Sequence, residues 1–386
     1  MNKKLLYTIS FFIKGLEVGI LLLLPVFQTQ GIITVFQVGL LGATMSSFQI
    51  ISNLQTGHLA EKFGGKNILA LGIGMYATAW LSLGILPNVE ILFFAYALAG
   101  IGSGVFIPIA NSFVVKISDK NRSTEMGNFS AYTDLGRVLF SSVTIILVGL
   151  FSTARTSLFY AVSALILLLI FISRIKRNRD MHEALSSEEN LEKIKILSLL
   201  KEKRYVLSVI TGIFDGFSSA SLYIFIPLLL VPRGIFLSTI GLLSSLFFLG
   251  YFSGRLLLGR LADRYGAEKI LVLAQVCMAF LIGGIIFAHN IFIIAIILFL
   301  LGIFTRGTSP IIRAMVAEAV DEKRKLNRAY GFYSFAVNSS SMASRLIFGI
   351  LVGSLGITSV FYLSSLVALL TIIPITVYSN HRKHSS

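Results

Sequence analysis

Twelve apolar runs, each close to 20 residues long, follow one another along the chain, and no other feature limits its fold as strongly. At about 1.5 Å of rise per helical residue, each can cross a hydrocarbon core of ~30 Å. Inside that core every backbone N–H and C=O must be satisfied within the protein, so a run of this length must be helical. The runs lie near 5–27, 35–57, 67–86, 89–113, 126–150, 156–173, 205–230, 237–258, 269–288, 291–315, 329–353 and 357–379. The expected fold is therefore an all-α membrane protein with twelve transmembrane helices. Charged residues make up 13% of the chain, about half the usual share of a soluble domain, which excludes the soluble classes.

Lys3 and Lys4 precede the first run as they would in a secretory signal. Its length, the presence of Lys14 and Glu17 within it, and the lack of a small-residue cleavage site predict instead a retained first span. One cysteine, Cys277 in span 9, excludes an internal disulfide and reads as a packed small residue. The net charge of +15 would suit a nucleic-acid partner if it were clustered on one surface. It is spread in another way. Alternate connecting segments and both termini hold nearly all the Lys and Arg outside the spans, while the opposite segments hold only Arg155 and Arg233. That asymmetry predicts a multi-pass protein of the cell (inner) membrane with both termini cytoplasmic, and no nucleic-acid partner.

The phrase "GHLAEKFGGKNIL" at Gly57 returns as "GRLADRYGAEKIL" at Gly259, 202 residues later. Pro25 and Pro227, Gly39 and Gly241, Gly64 and Gly266, Gly100 and Gly302, Pro108 and Pro310, and Asp119 and Asp321 keep the same offset. The chain thus reads as two six-span halves, 1–173 and 205–386, joined by a polar cytosolic linker over 174–204. Parallel six-span halves are a transporter plan, with the substrate site at the midplane between them.

The repeated phrase resembles the loop motif of the major facilitator superfamily between spans 2 and 3. The matching residues are Gly57, Leu59, Ala60, Glu61, Lys62, Gly64 and Lys66, then Gly259, Leu261, Ala262, Asp263, Arg264, Gly266 and, one place late, Lys269. "GIGSGVFIP" in span 4 and "SDKNRSTEMG" after it are similar to the family's pattern too, so the resemblance covers nearly the whole chain. It implies a substrate cavity lined by spans 1, 4, 7 and 10. It also implies a reversible cytosolic latch, with Glu61 facing the start of span 11 around Arg328 to Gly331 and Asp263 facing the start of span 5 around Thr124 to Gly127. The glycines are expected to allow the tight turn and close helix approach. Tyr96 stands where many members carry an arginine, and Leu139 and Phe140 stand where antiporters carry Gly-Pro. Both departures argue against the drug and proton antiporter branch.

Seven ionisable residues fall well inside spans: Lys14, Glu17, Asp134, Arg137, Asp215, Arg306 and Arg345. Each would cost ~2.5–3.5 kcal/mol if it faced lipid at mid-span, so each must face protein or water. Spacing predicts two local pairs, Lys14 with Glu17 and Asp134 with Arg137. Asp215 then remains against two cations, Arg306 and Arg345. "GIGSGV" at Gly100 looks like a phosphate loop, but it lies in a span with no following Lys-Ser/Thr, and helix packing explains it. The histidines His58, His182, His289, His381 and His384 show no zinc-ligand pattern, and neither a nucleophile with its base nor an ATP motif is recognisable. The expectation is a secondary transporter and no enzyme, monomeric, using no metal or cofactor. Protons, carried by Glu17, Asp134 and Asp215, are the expected coupling ion. A small organic anion is the favoured substrate; the alternatives are efflux of neutral or cationic compounds, or a membrane sensor with the linker as its output.

Overall fold

The computed structural model describes residues 3–85, 87–117, 122–175, 199–320 and 323–385. Among these, twelve helices are long and apolar enough to cross a membrane: Lys4–Thr29, Val35–Phe63, Gly65–Ile85, Val89–Val114, Asn128–Phe151, Thr153–Arg174, Lys203–Arg233, Leu237–Tyr265, Ala267–Gly284, Ile291–Glu318, Arg328–Leu355 and Thr358–His381, numbered here as spans 1 to 12. The linker over 176–198, Asp119 and Asp321 lie outside the described residues. Two compact units emerge, Met1–Asn190 with Phe236–Ser245, and Leu191–Ile235 with Leu246–Ser386.

In the first unit span 2 packs on span 4, span 3 on spans 4 and 6, and span 1 on span 5. Its buried centre holds Trp80, Tyr76 and Tyr96, while large apolar side chains such as Leu54, Phe94, Leu150 and Leu169 point outward. In the second unit span 7 packs on spans 10, 11 and 12, and span 9 on spans 10 and 12. Tyr205, Phe225 and Tyr378 are buried there, and Phe280 and Phe292 are exposed. Apolar residues thus lie on both the inside and the outside, as expected of helices solvated by lipid.

The glycine landmarks repeat in function as well as in position. A methyl group on Gly100 would strike the backbone carbonyl of Met45, and one on Gly302 would strike that of Phe247. Met45 and Phe247 are themselves separated by the repeat offset. The span 2–span 4 crossing and the span 8–span 10 crossing are therefore the same small-residue contact made twice. "GIGSGV" belongs to the first of these crossings.

Three features differ from the sequence expectation. The repeated phrase is mostly not a loop: Gly57 to Phe63 and Gly259 to Tyr265 continue the helices of spans 2 and 8. Leucine, alanine, glutamate, lysine and arginine are strong helix formers, and charge alone does not end a helix. The turn is confined to Gly64 and Gly266, at φ +79° and +98°, which side-chain-bearing residues rarely adopt. Span 7 is broken after Ser219 and resumes at Leu222. There the hydroxyls of Ser218 and Ser219 donate to the Asp215 carbonyl at 3.1 and 2.7 Å, competing with the helical ladder. Span 12 is interrupted between Leu370 and Ile372, where Pro374 has no N–H to offer the residue four earlier.

Candidate functional site

Each unit has its own buried polar network. In the first, Lys14 Nζ donates to Glu17 Oε2 at 2.5 Å, within one face of span 1. The same oxygen accepts from Ser103 Oγ of span 4 at 3.1 Å and lies 3.4 Å from the Tyr76 hydroxyl of span 3. Gln49 of span 2 donates to Ser103 Oγ at 3.0 Å. Spans 1, 3 and 4 therefore converge on one carboxylate, which span 2 reaches through Ser103, and its charge is compensated in place. Arg137 Nη1 donates to Asp134 Oδ1 at 2.9 Å, with Asp134 only 1% exposed. Spacing alone brought both pairs together as expected.

The two departures from the family pattern fill specific places. The Tyr96 hydroxyl donates to the Ile20 carbonyl of span 1. The Phe140 ring occupies the space above Gly15 and packs edge-on against Phe11 and Phe12.

The second network centres on Asp215, 7% exposed in the segment before the span 7 break. Its Oδ1 accepts from Gln275 Nε2 of span 9 at 2.7 Å and from Thr308 Oγ1 of span 10 at 3.0 Å. Asp215, which the charge count left against Arg306 and Arg345, makes no ion pair within 4.0 Å with either among the described residues. The Arg306 guanidinium lies over the Tyr251 ring, 5.6 Å from its centroid. Arg345 Nη2 donates to the Tyr223 hydroxyl at 3.2 Å. Phe248 links the two rings, 5.8 Å from Tyr223 and 5.3 Å from Tyr251. Two arginines thus stand at the ends of one aromatic wall.

Sequence reasoning missed Gln49, Tyr76, Ser103, Tyr223, Tyr251, Gln275 and Thr308. Their one signal was polarity without charge inside an apolar run, which many packed helices also show.

At the repeated phrase, Glu61 and Asp263 are exposed near the ends of their helices. The basic residue of each copy covers the next aromatic ring, Lys62 over Phe63 and Arg264 over Tyr265, both at 5.3 Å. Gly57 and Gly259, expected to allow close helix approach, have no atom within 4 Å of the place a methyl group would take, so neither crowds a neighbour. The side chains of Thr124 and Glu125 lie outside the described residues.

The family described as the Major Facilitator Superfamily matches residues 5–235 and again 208–386. The chain belongs to that superfamily. A curated relative, the uncharacterized MFS-type transporter YcaD of Escherichia coli O7:K1 (strain IAI39 / ExPEC), is 24% identical over 308 residues, covering 78% of this chain and 75% of its own. Among solved structures, a mutant form of nucleoside transporter NupG superposes with a TM-score of 0.84 at 12% identity, covering 97% of this chain and 99% of that one. The D-xylose-proton symporter superposes at 0.77 with 14% identity, covering 96% of each chain. At such identities the likeness establishes the fold. This major facilitator is a multi-pass membrane transporter rather than an enzyme.

Proposed function

We propose that this transporter carries a small organic anion across the cell membrane by alternating access, in exchange or symport with protons, with both termini cytoplasmic and the halves 1–173 and 205–386 as the moving bodies. One observation carries the substrate class. Arg306 makes a ring contact but no hydrogen bond among the described residues, although a guanidinium offers five N–H donors in a planar fork. The other buried charges of spans 1 and 5 are already paired, and Asp215 is held by neutral donors. A carboxylate or phosphate on the substrate would supply the acceptor that Arg306 lacks, with Arg345 at the far end of the same aromatic wall.

A second reading, a neutral polar solute, draws on the structural relatives, a nucleoside transporter and a D-xylose-proton symporter. The local compensation of charge in the first unit favours it too. A thermal-shift screen of the purified protein separates the two, using carboxylic acids set beside their own carboxamides, together with nucleosides and pentoses. Ligands of the folded state raise its apparent stability. The anion reading expects acids to stabilise where their amides do not. Equal shifts from amides, nucleosides or pentoses would establish the neutral reading. Counterflow in proteoliposomes with the best ligand then tests transport itself, and a sensor would move nothing.

A further inference from the structure

Glu17 and Asp215 are both buried carboxylates, but their partners differ in kind. Neutralising Glu17 would take from the Lys14 ammonium, 2.5 Å away, the carboxylate it pairs with. Asp215 touches no cation among the described residues. Its contacts are the Gln275 amide of span 9 and the Thr308 hydroxyl of span 10, both wholly buried. The charged or titratable groups that act on it from the surrounding helices are Arg306 of span 10 and Tyr333 of span 11. Arg306 does so from beyond ion-pair distance.

The contacts of Asp215 also suit more than one protonation state. An ionised carboxylate only accepts hydrogen bonds, whereas a carboxylic acid also donates one. Gln275 offers an NH2 to the ionised form, and its Oε1 has no partner among the described residues. Turned by half a rotation about its last bond, the same amide would present that oxygen to the acid's O–H. A lysine or arginine in its place could serve only the ionised form. The position adds leverage, because span 7 breaks just after Asp215 and the hydroxyls of Ser218 and Ser219 bond its backbone carbonyl there.

We infer that Asp215 is the proton-exchanging group of this transporter, that Gln275 is the positioning residue serving both its forms, and that Glu17 remains ionised as the counter-ion of Lys14. In the step, a proton from the aqueous side forms an O–H bond on the Asp215 carboxyl, and no other bond is made or broken. The local charge rises by one unit while Arg306 keeps its own. Arg306 then lacks the nearby negative charge, so proton uptake favours arrival of an anionic substrate, and linkage makes the effect reciprocal. This inference rests on the proton-coupled reading above, but its test requires neither substrate nor flux.

Infrared difference spectra of the full-length protein in lipid nanodiscs, taken as the pH is lowered, read the carbonyl stretch of a newly protonated carboxylic acid. Wild type and the double variant Glu17→Gln with Lys14→Met, which removes the buried pair together, should share a buried-acid band that Asp215→Asn lacks. Asp215→Glu, which keeps an acid, should retain a band at an altered frequency. Gln275→Met and Thr308→Val should keep the band and move its midpoint by about one pH unit, a tenfold change in proton affinity. With glutamine labelled isotopically, an amide shift should follow the same midpoint and vanish in Gln275→Met. A band that survives unchanged in Asp215→Asn, that disappears in the double variant Glu17→Gln with Lys14→Met, or that is absent from wild type overturns the assignment. An unmoved midpoint in Gln275→Met overturns the role of the amide. Flux driven by a pH gradient, measured separately, tests the coupling reading on its own.

Discussion

Glu17 and Asp215 lie in equivalent spans of the two repeats but one helical turn out of register: the counterpart of Glu17 is Ser219, four positions after Asp215. Their partners shift together. Ser103 of span 4 corresponds to Thr305, yet the second network uses Thr308; Tyr76 of span 3 corresponds to Met278, yet the second network uses Gln275. Spans 7 and 9 run one way and span 10 the other, so all three shifts lead toward the face bearing the repeated phrase, by roughly the 5.4 Å of one turn. The halves therefore keep one plan while each sets its carboxylate at a different depth within its own repeat. A compensated carboxylate and an uncompensated one can then serve different purposes in one fold.

The compensated pair makes a stability prediction. Glu17→Gln removes the carboxylate that pairs with the Lys14 ammonium, in a site where both side chains are mostly buried, and should cost roughly 3–5 kcal/mol. Combining it with Lys14→Met should restore most of that loss. Denaturant unfolding in detergent measures the cycle, and a double variant no more stable than Glu17→Gln alone would rule out a buried ion pair.

Much of this fold was legible because the bilayer imposes its rules on sequence. Span number, the repeat and the two three-residue charge pairs follow from run length, landmark spacing and the cost of charge in lipid. The position of the break in span 7 was not legible, because "SSAS" is polar enough to bend a helix or to pack one, and only the bonds of Ser218 and Ser219 to Asp215 decide. The partners of Asp215 were equally hidden: Gln275 and Thr308 lie 60 and 93 residues away in sequence and carry no charge to mark them. Counting charges left Asp215 against two arginines, whereas geometry gave it neutral donors.

The small-residue crossing can be tested against a glycine that is not crowded. A methyl on Gly104 would meet the Gln49 carbonyl, and Gly104→Ala should cost about 1–3 kcal/mol. Gly57 sits in a helix with open space around it, so Gly57→Ala should be neutral or stabilising by about 0.5–1 kcal/mol. Thermal melting of the two variants compares them directly. Equal losses would mean that the glycines of span 4 are not there for close approach.

The repeated phrase carries a conformational prediction. Glu61→Gln and Asp263→Asn remove negative charge from two exposed positions at corresponding helix ends. Each should shift the population toward a state open on the cytoplasmic side, while ligand affinity within one locked state stays unchanged. Spin-label distances between the halves report the populations. Unaltered populations and transport in both variants would dismiss the latch.

Orientation can be settled by labelling in a Cys277→Ser background. Cysteines at Asn88 and Thr358 should react with an impermeant maleimide added outside whole cells. One at Ser187 should react only after lysis. Labelling at Ser187 from outside would reverse the orientation proposed from the Lys and Arg distribution.

Finally, the aromatic wall distinguishes charge from shape in the proposed anion site. Arg306 lies over Tyr251 and Arg345 reaches the Tyr223 hydroxyl, so each guanidinium is already oriented by a ring. Lysine in either place keeps the positive charge but loses the planar fork that binds a carboxylate through two parallel hydrogen bonds. Arg306→Lys and Arg345→Lys should therefore each weaken binding of the stabilising acid at least about tenfold, ~1.4 kcal/mol, with folding largely preserved. The matching carboxamide, which offers a single carbonyl acceptor, should lose much less. Calorimetric titration of the acid and the amide against wild type and both variants gives the comparison. Near-native affinity for the acid in both lysine variants would mean that neither arginine holds the substrate, and the neutral-solute reading would replace the anion.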